Sequence, residues 1–432
     1  MDYKYSNYNI LLKVDELGHF VLYNVLRESL LELNESDKLF YEMALYDDSK
    51  MTDCRFEMLR NYGFIIDYDF DEIKYMEYVH RTVCYSGFKT SFTIAPTMDC
   101  NMRCSYCFEN HKKGKMSEEI QNLVCQYIIN VCKSQNSKML HISWFGGEPI
   151  IAWNIIVNMS KTLIDYCEKH DILYFASIIT NGTLLNKQVV ADMYEFKIER
   201  VQITIDGDKK SHDSKKKFLD GKGTYDIIKR NVMLFKDANI KVDIRVNIDA
   251  NNLNAYDYVK KMFSNCDWVY VYPSRVETFE SCDRNIQQYT LERKKFAELV
   301  VRDHIKECYS QYIKPIKFYS CQAECECSAG VDSNGYLYKC WNELGLEERA
   351  FGNVKVPNDL SYKNIYKYSL KSVDDYEECM DCKCLPLCYG GCSYLRHSGE
   401  IPCIPEKYII NDLVIAKYKK QLEREGEQCE GN

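Results

Sequence analysis

Three cysteines lie within the segment "CNMRCSYC", at Cys100, Cys104 and Cys107. Thiolates bind zinc and iron–sulfur clusters, and both kinds of centre ordinarily have four ligands. The segment follows a run typical of a β-strand, "FKTSFTIAPT" (88–97), so one loop can surround one metal centre. Three thiolates leave one metal position open, and an open position is where a substrate binds and reacts. The alternative is a structural zinc site that takes His111 as its fourth ligand.

A second group of cysteines lies near the end of the chain. Ten cysteines fall between Cys321 and Cys403, and they include the run Cys379-x2-Cys382-x5-Cys388-x3-Cys392. Such spacing rarely arises by chance. The region has weak apolar periodicity, and bound metal is another source of stability for such a segment. Two structural zinc ions are the alternative to iron–sulfur clusters here.

Composition limits the classes of function. The 432 residues suffice for two or three domains, and the net charge of −8 argues against a nucleic-acid-binding surface. Neither a membrane-spanning stretch nor a signal-peptide layout is visible in the sequence. We therefore expect a cytoplasmic protein that binds neither nucleic acid nor membrane. In that compartment 22 cysteines indicate metal ligands more than disulfides.

The middle of the chain alternates β-strand and helix patterns. Strand patterns cover 88–97, 140–146, 174–180, 200–206, 241–248 and 268–273, and helical patterns cover 117–133, 152–169, 186–197, 224–238, 253–264 and about 290–312. Six such repeats predict an α/β fold with parallel strands, either an open sheet or a partial (β/α)6 TIM-like barrel. In such folds function gathers at the carboxyl ends of the strands, where "CNMRCSYC", "GGEP", "TNG" and "DGD" follow the first four strand patterns.

The flanking parts differ from this middle. Residues 1–88 read as two strands around a turn at Leu17–Gly18, followed by helices with Ser36 as a candidate N-cap. This pattern predicts a small α+β, winged-helix-like module that either binds a peptide or packs on the next domain. Residues 89–313 form the second predicted domain, and residues 314–432 form a third, rich in cysteine.

The sequence resembles the radical S-adenosylmethionine (radical SAM) enzymes. The x3–x2 cysteine spacing with an aromatic residue before the last cysteine, "WFGGEP", "TNG" and "ITIDG" occur in that family's order. The third domain resembles the SPASM extension, which carries two auxiliary four-iron clusters. The resemblance covers about residues 89–410. It implies that Cys100, Cys104 and Cys107 hold a 4Fe–4S cluster whose open iron binds SAM.

The resemblance also implies contacts to SAM. The residues implied are Tyr106, Gly146, Gly147, Glu148, Asn181, Thr204, Lys216 and Arg245. A glycine pair allows close approach of the main chain, and a carboxylate complements the methionine ammonium group. Related enzymes often carry an arginine at the position of Lys216. A lysine keeps the positive charge of that arginine but lacks its two-pronged hydrogen-bonding geometry. The other interpretation is that the lysines at 215–217 are simply exposed to solvent. Arg245 is a second candidate for binding the SAM carboxylate.

The SPASM resemblance implies two sets of four ligands. One set is Cys321, Cys327, Cys340 and Cys392, and the other is Cys379, Cys382, Cys388 and Cys403. Cys325 and Cys384 are then surplus, although Cys325 could replace Cys327. We expect the remaining cysteines to be inert: Cys54, Cys84, Cys125, Cys132, Cys167, Cys266, Cys282, Cys308 and Cys429.

The function implied is that of a peptide maturase. We expect three 4Fe–4S clusters, SAM, a low-potential electron donor such as flavodoxin or ferredoxin, and a ribosomally made precursor peptide, with a thioether or related cross-link as the product. The first alternative is sulfatase-maturase-like oxidation to formylglycine, which is disfavoured because Trp341 stands where those enzymes commonly have an aspartate. The second alternative is a non-catalytic zinc-binding protein.

Overall fold

The N-terminal part of the chain combines short strands with three helices. In this computed structural model the described residues are 2–14, 19–277, 290–305 and 321–430. The strands are β1 (Tyr3–Tyr5), β2 (Asn9–Val14), β3 (His19–Asn24), β4 (Leu30–Leu33) and β5 (Ile65–Asp67). The helices are α1 (Glu35–Met43), α2 (Cys54–Asn61) and α3 (Glu72–Cys84), with a 3-10 turn at Asp48–Thr52.

These strands form two small antiparallel sheets. One has the order β2-β3-β4, and the other pairs β1 with β5. The strands β2 and β3 pair as predicted, whereas the predicted turn at Leu17–Gly18 lies outside the described residues. The prediction of Ser36 as an N-cap is wrong, because Asn34 occupies that position and its side chain accepts a hydrogen bond from the Asp37 backbone NH.

A parallel sheet carries the middle of the chain. Its strands are β6 (Lys89–Ile94), β8 (Met139–Trp144), β9 (Leu173–Ile179), β10 (Ile198–Thr204), β12 (Lys241–Ile248) and β13 (Val269–Arg275). Each pairs in parallel with the next along the chain. Two short strands, β7 (Met102–Cys104) and β11 (Lys216–Phe218), form a separate antiparallel pair. The predicted α/β class with six successive parallel strands is confirmed.

Helices connect these strands. They are α4 (Glu118–Ser134), α5 (Trp153–Lys169), α6 (Lys187–Glu195), α7 (Lys209–Lys215), α8 (Tyr225–Val232) and α9 (Ala255–Met262), with 3-10 turns at Pro149–Ala152 and Met233–Phe235. The sequence explains α4 well. Ser117 caps its first turn, and Ile120, Val124 and Ile128 form a buried stripe at four-residue spacing.

Three strands from the cysteine-rich part extend the same sheet. They are β14 (Ser328–Val331), β15 (Tyr336–Tyr338) and β16 (Gly352–Asn353). The strand β14 pairs in parallel with β6, and β15 turns back antiparallel through Gly335, whose φ is +81°. Glycine suits this turn because the left-handed region is costly for other residues. The sequence patterns did not reveal that this region joins the sheet.

The remaining helices are short, with one exception. They are α10 (Arg293–Phe296), α11 (Tyr362–Ser369), α12 (Glu377–Met380), α13 (Leu385–Cys388), α14 (Ser393–His397) and the long α15 (Glu406–Glu430). A π-helical segment at Ala297–Val301 and a 3-10 turn at Arg302–His304 follow α10. Further 3-10 turns lie at Trp341–Glu343, Glu347–Arg349 and Val373–Asp375. Part of the helix predicted at about 290–312 lies outside the described residues.

The chain divides into two units that are built from separate segments. One unit combines Met1–Val83, Arg293–Ser320 and Ser372–Asn432, and the other combines Cys84–Glu292 and Cys321–Lys371, each for its described residues. In the first unit, Tyr8 from the turn before β2 and Val21 from β3 share an apolar core with Leu385 and Val414. None of the described helices is both long and apolar enough to cross a lipid bilayer.

Candidate functional site

The three cysteines of the first motif lie beyond the carboxyl end of β6. Cys100 is buried, and Cys104 and Cys107 are partly exposed. The Cys100 sulfur accepts a hydrogen bond from the Met102 backbone NH at 3.4 Å. Burial raises the pKa of the Cys100 thiol to about 11 and that of Cys107 to about 12. These thiols therefore stay protonated at neutral pH unless a bound cation displaces their protons.

A buried lysine lies beside this loop. The pairing of β7 with β11 places Lys216 opposite Cys104. The Lys216 side chain is buried, its Nζ lies 3.7 Å from Cys104 Sγ, and the same atom lies 5.8 Å from the centre of the Tyr106 ring. The interpretation of 215–217 as a solvated run is wrong for Lys216, although Lys217 is exposed. Lys215 forms an ion pair with Asp249 at 2.6 Å.

Glu148 is fully buried between the ends of β8 and β9. Its carboxylate accepts hydrogen bonds from the Thr180 hydroxyl at 2.7 Å, the Asn181 backbone NH at 2.7 Å and the Ile150 backbone NH at 3.1 Å. Burial raises the pKa of Glu148, and these donors partly offset the increase. The three bonds fix the carboxylate in one orientation.

The glycine pair before Glu148 leaves no space for side chains. A Cβ atom on Gly146 would lie 2.3 Å from the Thr97 carbonyl oxygen, and Gly146 has φ +109°. A Cβ atom on Gly147 would lie 2.4 Å from the carbonyl oxygens of Met98 and Asp99. Only glycine allows the "GGEP" loop to pass this close to the backbone that leads into the cysteine loop.

Polar side chains connect the ends of the next strands. Tyr106 donates a hydrogen bond to Asp206 at 2.5 Å, and Asp206 accepts another from the Asn247 backbone NH at 3.0 Å. Arg245 donates to the Asn247 side chain at 2.8 Å. Thr204 is the last residue of β10 and pairs in register with Arg245. Tyr106, Thr204 and Arg245 therefore lie along one edge of the sheet.

Asn181 links the third strand end to the cysteine loop. Its side-chain nitrogen lies 3.8 Å from Cys100 Sγ and donates to the Asn101 side-chain oxygen at 2.9 Å. His111 Nε2 lies 3.4 Å from Cys107 Sγ. His111 is therefore close enough to the cysteine loop to serve as the fourth ligand of a zinc site, the alternative to an iron–sulfur cluster.

Two acidic residues near the loop were not among the predicted site residues. Asp206 is fully buried, and the sequence signals for it were the overlapping "ITIDG" and "DGD" motifs at the end of the fourth strand. Glu109 follows Cys107 by two positions, and its carboxylate oxygens are buried with no hydrogen-bond partner among the described residues. Burial raises the pKa of Glu109 to about 8. No spacing rule distinguishes such a residue from a surface glutamate.

The comparison with protein families identifies the domain around this loop. Residues 94–260 match the family described as the Radical SAM superfamily. The chain contains a radical SAM domain. The resemblance predicted from the cysteine spacing is thereby confirmed, and so is the prediction of a radical SAM enzyme.

Two curated relatives of this chain are named for different activities. The chain is 24% identical over 351 residues to the cysteine-type anaerobic sulfatase-maturating enzyme of Clostridium perfringens, covering 72% of this chain and 90% of that protein. It is 24% identical over 420 residues to the radical SAM cyclopropyl synthase TigE of Paramaledivibacter caminithermalis, covering 88% of this chain and 84% of that protein. The match to TigE therefore extends over more of this chain.

Solved structures share the fold. The chain matches native anSMEcpe with bound AdoMet and Cp18Cys peptide at a TM-score of 0.60 and 22% identity, covering 77% of this chain and 98% of that one. It matches Streptococcus suis SuiB bound to precursor peptide SuiA at a TM-score of 0.50 and 18% identity, covering 94% of this chain and 98% of that one. At these identities the comparisons support the fold.

The residues of the radical SAM domain suit a metal cluster and SAM. Three thiols converge on one loop, and a buried ammonium group lies beside Cys104. The Coulombic influence of Cys104 and Asp206 outweighs burial and raises the pKa of Lys216, so the ammonium stays charged. A buried carboxylate, Glu148, stands on the neighbouring strand end. Opposite charges at one strand edge complement an amino acid that carries both an ammonium and a carboxylate group.

Five cysteines of the third predicted domain line one small cavity. They are Cys379, Cys382, Cys384, Cys388 and Cys403. Two cations accompany them: Arg396 Nη2 lies 3.2 Å from Cys379 Sγ, and Lys407 Nζ lies 3.5 Å from Cys403 Sγ. Cationic donors stabilise thiolates, so the cavity suits a thiolate-bound cluster. Cys384, which the sequence left surplus, lies with the others.

Three cysteines of the other predicted set, Cys321, Cys327 and Cys340, flank the strands β14 and β15 in the sequence. Cys327 directly precedes β14 and is buried, as is Cys340. The register pairs Gly330 with Tyr338, Cys327 precedes β14, and Cys340 follows β15 by two residues. Cys321 lies on the loop that leads to Cys327. Cys392 is the N-cap residue of α14.

Cys84, one of the nine cysteines expected to be inert, lies beside a second cysteine. The Cys84 thiol is hydrogen-bonded to the Cys325 thiol, because the end of α3 meets the loop before β14. Sequence distance conceals this contact. Cys282 and Cys308 lie outside the described residues, and the side chain of Cys429 is not described.

Proposed function

We propose that this chain is a radical SAM peptide maturase that forms a thioether or related cross-link in a ribosomally made, cysteine-containing peptide. The observation that carries the proposal is the three-thiol loop at the strand edge, with Glu148 and Lys216 buried beside it. The structural match to SuiB, which was solved with a precursor peptide and covers 94% of this chain, also supports the proposal.

Cys100, Cys104 and Cys107 would hold a 4Fe–4S cluster. When bound there and reduced by one electron, the cluster and SAM supply a 5′-deoxyadenosyl radical that removes hydrogen from a substrate carbon. Glu148 would accept hydrogen bonds from the SAM ammonium group, and Lys216 would pair with its carboxylate. Gly146 and Gly147 would keep the main chain close to the ligand.

The polar residues along the strand edge would complete the SAM site. Tyr106 would lie against the adenine, with its hydroxyl held by Asp206. Asn181 would stay beside the cluster through its contact with Cys100. Thr204 would lie near the ribose, and Arg245 is the second candidate for the carboxylate.

Two auxiliary 4Fe–4S clusters would bring the total to three. The set of Cys379, Cys382, Cys388 and Cys403 is supported by their common cavity. The other set would be Cys321, Cys327, Cys340 and Cys392. In domain terms, residues 89–313 would be the radical SAM core and residues 314–432 the auxiliary-cluster domain. A low-potential donor such as flavodoxin or ferredoxin would supply electrons.

The N-terminal module, residues 1–88, would bind the precursor peptide. In the structural comparison SuiB covers 94% of this chain, whereas anSMEcpe covers 77% of it. SuiB was solved with its precursor peptide SuiA. The wider match supports a peptide substrate that requires the module as well as the catalytic domain.

The second candidate function is formylglycine formation on a sulfatase. It is favoured by the match to the sulfatase-maturating enzyme, most of whose length this chain covers. It is disfavoured by Trp341, which lacks a proton-accepting group where those enzymes commonly have an aspartate. The Trp341 ring packs on Phe145 at 5.3 Å, and Phe145 packs on Phe108 at 6.4 Å. This aromatic surface suits an apolar substrate side chain.

Mass spectrometry of two peptides separates the two candidates. The reconstituted full chain receives SAM, dithionite and either a candidate cysteine-containing precursor peptide or a sulfatase peptide containing the cysteine to be oxidised. We expect the first peptide to lose two hydrogens and one alkylatable thiol, and Cys104→Ala to give no product. An aldehyde on the sulfatase peptide, with no cross-link in the first, would contradict the proposal in favour of formylglycine formation.

A further inference from the structure

Arg396, in α14, has a different partner for each nitrogen of its guanidinium group. Nη2 donates to Cys379 Sγ at 3.2 Å, Nε donates to the Gly390 carbonyl oxygen at 2.9 Å, and Nη1 donates to the Glu378 carboxylate. The guanidinium carbon also lies 4.0 Å from the centre of the Tyr376 ring. The Arg396 side chain is 8% exposed. These contacts hold one N–H group of the arginine against the sulfur of a proposed cluster ligand.

A second cation at the same cavity is more exposed to water. Arg396 and Lys407 both line the cavity that contains five cysteines. Lys407 Nζ lies 3.5 Å from Cys403 Sγ, but Lys407 is an exposed residue. Water and salt screen an exposed ammonium group more strongly than a buried guanidinium group. We therefore expect Arg396 to act on this cavity more strongly than Lys407.

The contact between Arg396 and Cys379 bears on electron transfer. An iron–sulfur cluster gains one negative charge when it is reduced by one electron, and its reduction potential depends on net charge and on hydrogen bonds to its sulfur atoms. A cationic N–H donor at a ligand sulfur stabilises the reduced form more than the oxidised form. Such a donor therefore raises the reduction potential, which makes the cluster a better electron acceptor.

We propose that Arg396 raises the reduction potential of the auxiliary cluster that Cys379 helps to hold. The four proposed ligands of that cluster are Cys379, Cys382, Cys388 and Cys403. Arg396 acts through the Cys379 sulfur and forms no bond to iron. The inference rests on the cluster assignment within the proposed function, but it depends neither on the identity of the peptide nor on cross-link formation.

A redox titration followed by electron paramagnetic resonance tests the proposal. The full chain is reconstituted anaerobically with the three cysteines of the SAM site replaced by alanine, so that only the auxiliary clusters contribute signals. In that background we expect Arg396→Gln to keep about eight irons per chain and to lower the midpoint potential of one cluster. Loss of a hydrogen bond to a charged group changes the equilibrium constant for reduction at least tenfold, which is about 60 mV for one electron. The other cluster should keep its potential.

Three further variants separate the hydrogen bond from the charge. Arg396→Lys keeps the charge but loses the fork of donors, so we expect a smaller negative shift of the same cluster. Lys407→Gln should also shift that cluster less than Arg396→Gln does, because the Lys407 ammonium group is exposed. The matched control is Arg60→Gln, which removes one positive charge from the N-terminal module, where Arg60 pairs with Glu57 at 3.2 Å. It should leave both potentials unchanged.

Two results would overturn the proposal. One is an unchanged pair of midpoint potentials in Arg396→Gln with all eight irons retained. The other is loss of about four irons from both Arg396→Gln and Arg396→Lys, because the arginine would then be required for assembly of the cluster. The titration needs neither SAM nor a peptide. A chain that shows the shift but forms no cross-link would therefore count against the proposed function and not against this inference.

Discussion

Lys216 carries a charge into a buried position, where its Nζ lies 3.7 Å from Cys104 Sγ. Without an anionic partner, a lysine buried there would lose its solvation free energy and gain no compensating interaction. The neighbouring Lys217 is exposed and belongs to the same strand. The pair therefore offers a test of the buried charge with a control at the next residue.

We expect Lys216→Met to weaken SAM binding about 10- to 100-fold, the value of a hydrogen bond to a charged group. Lys216→Arg should retain most of the affinity because the charge remains. Equilibrium dialysis of the cluster-loaded protein with labelled SAM measures the effect, and Lys217→Met should bind like the wild type. Equal affinities for Lys216→Met and the wild type would remove Lys216 from the SAM site.

His212 is held in its neutral form inside the fold. Its Nδ1 accepts a hydrogen bond from the Asp206 backbone NH at 3.2 Å, and its Nε2 lies 3.0 Å from the Thr224 hydroxyl. Burial, with the charges of Lys216 and Lys215, lowers its pKa to about 3. Because the unfolded state binds the proton more readily, its stabilising contribution is complete above about pH 6.5 and falls as pH decreases toward 3.

We expect His212→Gln to reduce the pH dependence of stability. Between pH 7 and pH 5 the wild type should lose about 2 kcal/mol more unfolding free energy than the variant. Urea unfolding followed by circular dichroism at both pH values measures the difference. The same pH dependence in both proteins would show that the imidazole is not held neutral.

At the residue scale, motif residues were predictable and isolated contacts were not. Cys100, Glu148 and Lys216 were predictable because each belongs to a sequence motif, and few other functions require those residue types at that spacing. Cys84 could not be linked to Cys325, because 240 residues separate them and neither belongs to a spacing motif. Glu109 gave no signal, since only the surrounding chain determines whether a carboxylate is buried.

At the element scale, local periodicity predicted the six parallel strands and their helices closely. The strand β8 alternates buried and partly buried residues, and α4 carries an apolar stripe, so both patterns are visible in sequence. The strand β14 has four residues, all buried, and pairs with β6 more than 200 residues earlier. A run this short has no readable period, and its partner is set by tertiary packing.

The passage of "GGEP" beside the cysteine loop yields a prediction at the same scale. We expect Gly147→Ala to lose about 3 kcal/mol of unfolding free energy and about four irons per chain, because its Cβ would meet backbone oxygens at 2.4 Å. Gly330→Ala is the control. Its Cβ would lie 3.2 Å from the flexible Leu344 side chain and 3.7 Å, an ordinary contact distance, from the Tyr338 carbonyl oxygen, so it should lose less than about 1 kcal/mol. Full iron retention by Gly147→Ala would contradict the argument.

At the scale of the whole molecule, the sequence suggested three successive domains, and the structure has two units assembled from separate segments. The apolar core that joins Tyr8 and Val21 to Leu385 and Val414 depends on contacts across most of the chain. Composition and periodicity are local properties, so they carry no information about such contacts.

The central claim is that one three-cysteine site cleaves SAM and that the two auxiliary sets of cysteines serve it. The most direct measurement is 5′-deoxyadenosine formation by the anaerobically reconstituted chain with SAM and dithionite, compared with Cys104→Ala and the control Cys125→Ser. We expect product from the wild type and from Cys125→Ser, and none from Cys104→Ala. Continued SAM cleavage by Cys104→Ala, or none by the fully iron-loaded wild type, would contradict the claim.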